Sequence, residues 1–433
     1  MEKQYENRQW SPRRRRPAEV PHKNSRLKEM KMAKLTNLTI AKGPGRGHSR
    51  RFGTALATIA MLAVGAAFPG SVGAQEFKVG YIMSLTGPSA VLGKATLEGA
   101  KAGIEMVNST GGIGGAKVKL VICDVKSSEQ QAVICARRLA FQDKVNLMVG
   151  TGSSPQTIAI LPTVMAAKIP LFAIASSPRT YKPVKKYSFK GIQGLGDQIP
   201  LIVKYLKDKK LNRVYVIHDN GPLGQIIGKI FKGAVSGAGI EVLGTELYAP
   251  TDTNVTAQVT RMRAAKPDAV LNIAITPPAG ALIVKTMKQL GMNVPIMVGS
   301  NLQNRGFVKL AGDAVDNIVF PASKVVLADL PASDPLRPSI MRFRAAFAKM
   351  YKGKEPSSLS PWLVDGILLA QRAGKSLGKK ALDTVALTDA LEKTKDVPGI
   401  QGIWTFSPTD HGPSLRQGMI LVHFRGNRWT VAK

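Results

Sequence analysis

Cysteine, aromatic residues and acidic side chains are all scarce in this chain of 433 residues. It contains two cysteines, Cys123 and Cys135, 6% aromatic residues, and 28 Asp and Glu against 61 Lys and Arg. Without a CxxC pair or a His/Cys cluster, the sequence offers no zinc site. The basic residues are scattered and few aromatics accompany them. No recognisable nucleic-acid-binding motif occurs in the sequence. The two cysteines form a local disulfide if the protein is exported, or else remain buried thiols.

The sequence also lacks the motifs of the common α/β enzymes. No GxGxxG follows the first predicted strand, where TGPSAVLG at 86–93 stands instead, and no GxSxG occurs. His218 and Asp219 are adjacent on a predicted strand, so their side chains point to opposite faces and do not form a catalytic dyad. We therefore expect a protein that is not an enzyme and that uses no cofactor or metal.

One long hydrophobic run is present, Phe52–Phe68. The preceding residues 1–51 hold 15 Lys and Arg against 4 Asp and Glu, which leaves a net charge of +22 for the rest of the chain. The run is short for a membrane span, and the small residues after it end in Val72-Gly73-Ala74. This pattern predicts that 1–74 is a leader with a signal peptide cleaved before Gln75, and that the protein is exported to the periplasm. A retained membrane anchor is the alternative.

The most informative stretch is 145–177, which reads as strand, turn, helix and strand. Apolar runs at 145–149 and 169–175 predict two buried strands with a helix between them. In a parallel α/β unit both strands end at the same edge of the sheet, where ligands bind. Serine pairs follow the two strands, Ser153-Ser154 and Ser176-Ser177. Beside a helix N-terminus they indicate a site for a small anion such as a carboxylate, or else they only cap the helix.

Strand and helix patterns alternate from Phe77 onwards in two series of similar length. The second series begins with the strand RVYVIHD at 213–219. Such alternation predicts an α/β fold with two Rossmann-like, doubly wound lobes joined by a hinge. At the end of the chain, the segments around 401–406 and 417–432 are predicted to form a hairpin-like pair.

Six segments, taken together in order and spacing, resemble the leucine/isoleucine/valine-binding type of periplasmic solute-binding protein, which feeds an ABC importer. They are VGYIMSLTGPSAVLG (79–93), VNSTGGIGG (107–115), VGTGSSPQT (149–157), VYVIHDNGPLG (214–224), AAKPDAVL (264–271) and LAGDAVDNIVF (310–320). The resemblance covers about 77–433. It implies the type I periplasmic binding protein fold, in which two lobes joined by a three-stranded hinge close on the ligand.

The resemblance leads us to expect lobe 1 in residues 75–191 and 324–405, and lobe 2 in 192–323 and 406–433. It also implies the partners: a small-molecule carboxylate or amino acid, and an ABC permease in the inner membrane. We expect a monomer that binds no nucleic acid. A ligand-sensing regulator on the same fold would need a DNA-binding helix-turn-helix or a receptor span, and residues 1–51 are too rich in Pro, Gly and Arg to form one.

For the first lobe, the resemblance implies a role for the serine pairs. In this family the serine turn and the next strand end hold the α-carboxylate of an amino acid. Position by position, this puts the hydroxyls of Ser154 and Ser177 on the carboxylate, with the backbone of Ala175 nearby. The predicted ligand-binding residues are Ser153, Ser154, Ala175, Ser176, Ser177, Leu92, Leu223, Thr276 and Ser300.

The sequence departs from the family pattern at the position that meets the ammonium group of the ligand and at three wall positions of the site. Ser300 stands where the amino-acid binders have an acidic side chain for the ammonium group, and a serine does not balance a cation as a carboxylate does. Asp219 and Asp197 lie near the cleft by sequence, as substitutes or as plain strand-end and turn carboxylates. The ligand is thus a branched-chain amino acid or related small carboxylate, or else an aliphatic or aromatic carboxylate or an amide without an ammonium group. Tyrosines or tryptophans are common in the family at three wall positions, which here are Leu92, Leu223 and about Thr276.

Overall fold

A computed structural model describes residues 75–175, 177–412, 415 and 417–432. The strands are β1 (Glu76–Met83), β2 (Lys117–Asp124), β3 (Leu147–Gly150), β4 (Leu171–Ala173), β5 (Ser188–Lys190), β6 (Arg213–Asp219), β7 (Glu241–Tyr248), β8 (Ala269–Ile273), β9 (Ile296–Val298), β10 (Ile318–Ser323), β11 (Val397–Pro398), β12 (Ile403–Trp404), β13 (Met419–Arg425) and β14 (Arg428–Val431). The helices are α1 (Ala90–Asn108), α2 (Glu129–Arg137), α3 (Ser154–Ala167), α4 (Leu195–Asp208), α5 (Pro222–Gly237), α6 (Thr256–Ala264), α7 (Pro277–Gln289), α8 (Arg305–Ala311), α9 (Arg337–Met350), α10 (Val364–Leu377) and α11 (Thr384–Leu391).

The predicted leader and its cleavage position before Gln75 lie outside the described residues. Within the described ranges, no helix combines the length and the apolar character needed to cross a membrane.

The strands build two main sheets. The first has the order β2-β1-β3-β4-β5 and is parallel throughout. The second has the order β14-β13-β10-β9-β8-β6-β7 and is parallel except at β13 and β14. Strands β3, β4, β8 and β9 are buried along their whole length, as expected for parallel strands covered by helices on both faces. The predicted class of two doubly wound α/β lobes is confirmed.

The last third of the chain contributes to both hydrophobic cores. Helix α9 joins, through Ile340, Phe343 and Phe347, the cluster that contains residues of β9, β10 and α1. Helices α10 and α11 join the cluster around β1 and β4 mainly through Ile367, Ala370, Leu387 and Leu391, and Leu363, directly before α10, belongs to it too. The apolar spacing of three and four along these helices is what gives each of them one buried face.

The predicted hairpin between 401–406 and 417–432 is wrong. Strand β12 pairs with β11, where Trp404 lies opposite Val397, and β13 pairs with β14. The turn between β13 and β14 is Gly426-Asn427, and both residues have positive φ, 57° and 59°. Two-residue turns of this conformation match the twist of antiparallel strands, and Gly and Asn adopt it readily. The Gly-Asn pair was therefore the sequence signal for a hairpin inside 417–432.

A disulfide joins Cys123 at the end of β2 to Cys135 in α2, with the two Cα atoms 5.7 Å apart. The sequence left this pairing open. Both cysteines are buried in a cluster that also contains Leu139 and Val164. The bond thus holds an edge strand of the first sheet to the helix that covers it.

Replacing both cysteines by serine should lower the free energy of unfolding by about 3 kcal/mol, because a short covalent loop restricts the unfolded chain. Urea unfolding with and without a thiol reductant measures this effect. The wild type should lose stability when reduced, whereas the double variant should not respond. Equal stability of the oxidised and reduced wild type would contradict the prediction.

Candidate functional site

The serine turn after β3 forms the start of helix α3. Ser153 has an extended backbone, and its hydroxyl accepts a hydrogen bond from the backbone N–H of Gln156 at 3.4 Å. Ser153 is thus the N-cap of α3, in agreement with the expectation from the sequence that Ser153 or Ser154 caps this helix. The hydroxyl of Ser153 is engaged by the helix, and Ser154 is the first helical residue.

The structure brings the two predicted serine positions together. The backbone N–H of Ser177 donates to Oγ of Ser154 at 3.2 Å, which links the end of β4 to the start of α3. The carbonyl oxygen of Ser177 accepts from the hydroxyl of Thr180 at 2.8 Å. The hydroxyl of Ser154 donates to no described residue, and the Ser177 hydroxyl has no hydrogen bond to any described residue. Ala175 is buried at 2% exposure, and Ser176 lies outside the described residues.

Two threonines that the sequence analysis missed hold this turn in place. The hydroxyls of Thr151 and Thr157 are 2.7 Å apart, and both side chains are fully buried. Both Oγ1 atoms also lie within hydrogen-bond distance of the carbonyl oxygen of Ser153, at 3.1 and 3.0 Å, so one threonine donates to the other, which in turn donates to that carbonyl. Because the threonine hydroxyls satisfy one another inside the turn, the serine hydroxyls are the ones left at the strand ends. The signal was a second threonine six positions after the first in VGTGSSPQT.

Leu92 lies beside the serine turn and belongs to helix α1. Its Cδ2 atom is 3.5 Å from the place that a Cβ atom on Gly152 would take. The neighbouring Gly93 packs directly on the end of β1, where a Cβ atom would fall 1.9 Å from the carbonyl oxygen of Ser84. Tyr81 donates its hydroxyl proton to the carbonyl oxygen of Gly93 at 2.6 Å, and burial raises the pKa of this tyrosine.

The three predicted ligand-binding residues that are associated with the second sheet, Leu223, Thr276 and Ser300, lie at ends of its helices and strands. Leu223 is in the first turn of α5 and is 54% exposed, and Thr276 is exposed just before α7. The backbone N–H of Ser300, after β9, donates to Oε1 of Gln198 in α4 at 3.1 Å. In the described part of the chain no hydrogen bond joins Leu223, Thr276 or Ser300 to the serine turn, so their roles in ligand binding stay predictions.

Asn301 is a second residue that the sequence analysis missed. Its Nδ2 donates to the carbonyl oxygens of Ala274 and Ile275, at 2.9 and 3.0 Å. These contacts fix the end of β9 against the end of β8. The polar groups that follow β9 are therefore the Ser300 hydroxyl and the Asn301 amide, neither of which is a carboxylate.

The second sheet has a buried carboxylate at the end of β6, that of Asp219. Asp219 is 4% exposed, and its Oδ1 accepts the backbone N–H of Gly221 at 3.0 Å. Its Oδ2 is buried without a hydrogen-bond partner among the described residues. Burial, together with the negative charge of Asp219, raises the pKa of Tyr248 to about 12. The second sheet thus offers one buried carboxylate oxygen that is not satisfied by the protein.

The described chain passes three times between the two sheets: after β5, between β10 and α10, and between Phe406 and β13. Asp197, in the first turn of α4, connects the first and third passages. Its Oδ2 accepts from the backbone N–H of Gly194 at 2.7 Å and from Nζ of Lys190 at 3.1 Å. Its Oδ1 accepts from the backbone N–H of Leu415 at 2.6 Å. Asp197 therefore belongs to the hinge, and its oxygens are occupied there.

Two α/β lobes joined by three chain passages, with polar groups at the strand ends, define a solute-binding protein. The family model described as periplasmic binding protein matches residues 76–427, so this chain belongs to that family. It is a type I periplasmic solute-binding protein and not an enzyme.

Two amino-acid-binding proteins are similar in sequence to this chain. The chain is 25% identical over 361 residues to the Leu/Ile/Val-binding protein BraC3 of Rhizobium johnstonii, covering 83% of this chain and 94% of that protein. It is 27% identical over 303 residues to the leucine-, isoleucine-, valine-, threonine-, and alanine-binding protein of Pseudomonas aeruginosa, with coverages of 67% and 75%.

Solved structures show the same fold. An extracellular ligand-binding receptor from Rhodopseudomonas palustris HaA2 matches with a TM-score of 0.69 and 26% identity, over 83% of this chain and 100% of that one. The branched-chain amino acid transporter substrate-binding protein LivJ from Streptococcus pneumoniae, in complex with isoleucine, matches with a TM-score of 0.70 and 24% identity, over 83% and 99%.

Replacing Asp197 by alanine should lower the free energy of unfolding by about 3–5 kcal/mol, because the buried ammonium of Lys190 loses its counter-charge. The side chains of this pair are only 9% and 2% exposed. Helix α4 carries a matched control, the Lys204–Asp208 pair, whose side chains are 71% and 56% exposed. Asp208→Ala should cost no more than about 0.5 kcal/mol. Urea unfolding of both variants measures the difference, and equal losses would show that Asp197 has no special role in the hinge.

Proposed function

We propose that this protein is the periplasmic substrate-binding component of an ABC importer, and that it binds a branched-chain amino acid or a related small carboxylate between its lobes. The observation that carries the proposal is the Ser154–Ser177 pair beside the N-terminus of α3, whose two hydroxyls donate to no other described residue. The bound, closed form then docks on the permease in the inner membrane. The Leu/Ile/Val-binding relatives and the transporter protein LivJ support this role.

Carboxylate binding at the serine pair follows from simple electrostatics. Both hydroxyls donate, and the N-terminus of a 14-residue helix adds the positive end of its dipole. A hydrogen bond to a charged group contributes about 1.5–3 kcal/mol, so each serine affects affinity by roughly tenfold or more. Ser153 contributes indirectly, because its hydroxyl caps α3 and so fixes the orientation of the helix start.

The lobes in this proposal have the bounds that the sequence predicts. Lobe 1 contains residues 75–191 and 324–405, which include α9, α10, α11 and the short β11–β12 pair. Helix α9 packs on α1 of this lobe, and Tyr351, directly after α9, donates its hydroxyl proton to the carbonyl oxygen of Glu98 at 3.2 Å. Lobe 2 contains 192–323 and 406–433, with the β13–β14 hairpin. The polar strand ends of β3 and β4 then face those of β6, β8 and β9 across a cleft, and ligand closes the cleft by bending the three passages.

A second candidate ligand class is favoured by the residues after β9. Ser300 and Asn301 offer no negative charge for an ammonium group, and Asn301 is held by the ends of β8. An aliphatic or aromatic carboxylate, or an amide, would need no such charge. Against this stands Asp219, whose unpaired Oδ2 is the available counter-charge in the second sheet for an amino acid.

Titration calorimetry of the purified full chain with leucine and with 4-methylpentanoate, which is leucine without its ammonium group, tests the proposal. Ser177→Ala should weaken binding at least tenfold for whichever compound binds, because the carboxylate loses one donor. The control is Ser236→Ala, an exposed serine in α5, which should leave affinity unchanged.

The two compounds separate the two ligand classes. Leucine binding that is weakened by Asp219→Asn identifies an amino-acid binder that uses Asp219 for the ammonium group. Binding of 4-methylpentanoate alone identifies the carboxylate class. Binding that survives Ser177→Ala and Ser154→Ala would refute the serine site, and the absence of binding by both compounds would refute the proposed solute class.

A further inference from the structure

A groove outside the serine site lies between helices α10 and α11 of the first lobe. It has a volume of about 570 Å³, which is within the range of small-molecule sites. None of its lining residues belongs to the strand ends described above. Its apolar floor comes from one face of each helix and from β11, namely Leu369, Ala373, Leu377, Ala386, Ala390 and Val397.

Three cationic side chains surround this apolar surface: Arg372 on α10, and Lys393 and Lys395 after α11. All three are exposed, and none forms an ion pair or a side-chain hydrogen bond with another described residue. The acidic residue of the groove, Asp389, is 2.7 Å from Nζ of Lys186, which also pairs with Glu392. Among the described residues, no carboxylate lies within ion-pair distance of the three cations.

A smaller cavity of about 160 Å³ continues the groove and shares Leu369, Arg372 and Val397 with it. It adds two further exposed cations, Arg342 and Lys375. Its carboxylate, Asp365, is fully buried and accepts three hydrogen bonds, from the backbone N–H groups of Ile400 and Gln401 and from Nε1 of Trp404. Arg372 thus lines both cavities, and the carboxylate in each cavity already has partners within the protein.

The segment that carries the two lysines is held rigidly. The carbonyl oxygen of Thr394 accepts from the backbone N–H of Phe406 at 2.9 Å. Two residues after Lys395, Val397 pairs with Trp404 in the β11–β12 sheet. The lysine backbones are therefore positioned before any ligand arrives, which lowers the entropic cost of binding.

We propose that this groove is a second ligand site, for a small amphipathic anion whose apolar body lies on the floor and whose carboxylate or phosphate head meets Arg372, Lys393 and Lys395. The concave, apolar floor suits a small molecule, and the unpaired cations supply charge-assisted hydrogen bonds to the head. The site is independent of the ligand of the serine pair, and so of the proposed transport function.

Titration of the purified full chain with octanoate tests the site. The triple variant Arg372→Gln, Lys393→Gln, Lys395→Gln should bind octanoate at least tenfold more weakly. The triple variant Lys207→Gln, Lys229→Gln, Lys232→Gln removes the same total charge from exposed lysines elsewhere that have no ion pair with another described residue, and it should bind as the wild type does. Equal weakening by both triple variants would mean that only net charge matters, and would overturn the proposal.

Further variants separate the groove from the serine site. Ala390→Phe fills the apolar floor while leaving every charge in place, and should also abolish octanoate binding. Ser177→Ala should not change it, whatever that variant does to leucine or 4-methylpentanoate. Loss of octanoate binding through Ser177→Ala, or no binding of octanoate and octyl phosphate by the wild type, would refute the site. Octyl phosphate that binds more tightly than octanoate would identify a phosphate head, the reverse a carboxylate head.

Discussion

The buried ion pair between Lys190 and Asp197 lies where the chain first passes between the two sheets. Removing two charges from water is costly, and the cost is recovered only when the remaining lone pairs are also satisfied. Asp197 meets this condition, since it accepts from Gly194 and Leu415 as well as from Lys190. One carboxylate thus holds together the first and third chain passages, which are far apart in sequence.

In the candidate ligand site, the threonine hydroxyls are hydrogen-bonded within the turn, whereas two serine hydroxyls face the edge of the sheet. Thr151 and Thr157 turn their hydroxyls inward and bond to each other and to the carbonyl of Ser153, so the turn holds its shape without a ligand. The hydroxyls of Ser154 and Ser177 are left with protons to donate at the sheet edge. A site that keeps its geometry when empty loses less entropy on binding, which is how four hydroxyl residues form both a structural support and a recognition surface.

The sequence was most informative where local patterns decide the structure. Apolar runs identified the buried strands, and the serines before Pro155 identified the start of α3. The β13–β14 hairpin was missed because two short strands and a Gly-Asn turn were read as one element. Asn301 and Thr151 were missed for a different reason: their roles arise from contacts to β8 and to α3, and no periodicity reports such contacts. The disulfide stayed open because two cysteines twelve positions apart bond only if strand and helix pack together.

In the proposed function, recognition of an ammonium group falls to the carboxylate of Asp219 in the second lobe. A buried carboxylate oxygen without a partner costs stability, because the water it loses on folding is not replaced. Oδ2 of Asp219 is such an atom, while Ser300 and Asn301 carry no charge. A ligand cation that reaches Oδ2 would recover this energy, and a plain carboxylate would not. Under the proposed function, selectivity between amino acids and other acids is then determined at the end of β6 and not at Ser300, where the resemblance led us to expect an acidic side chain.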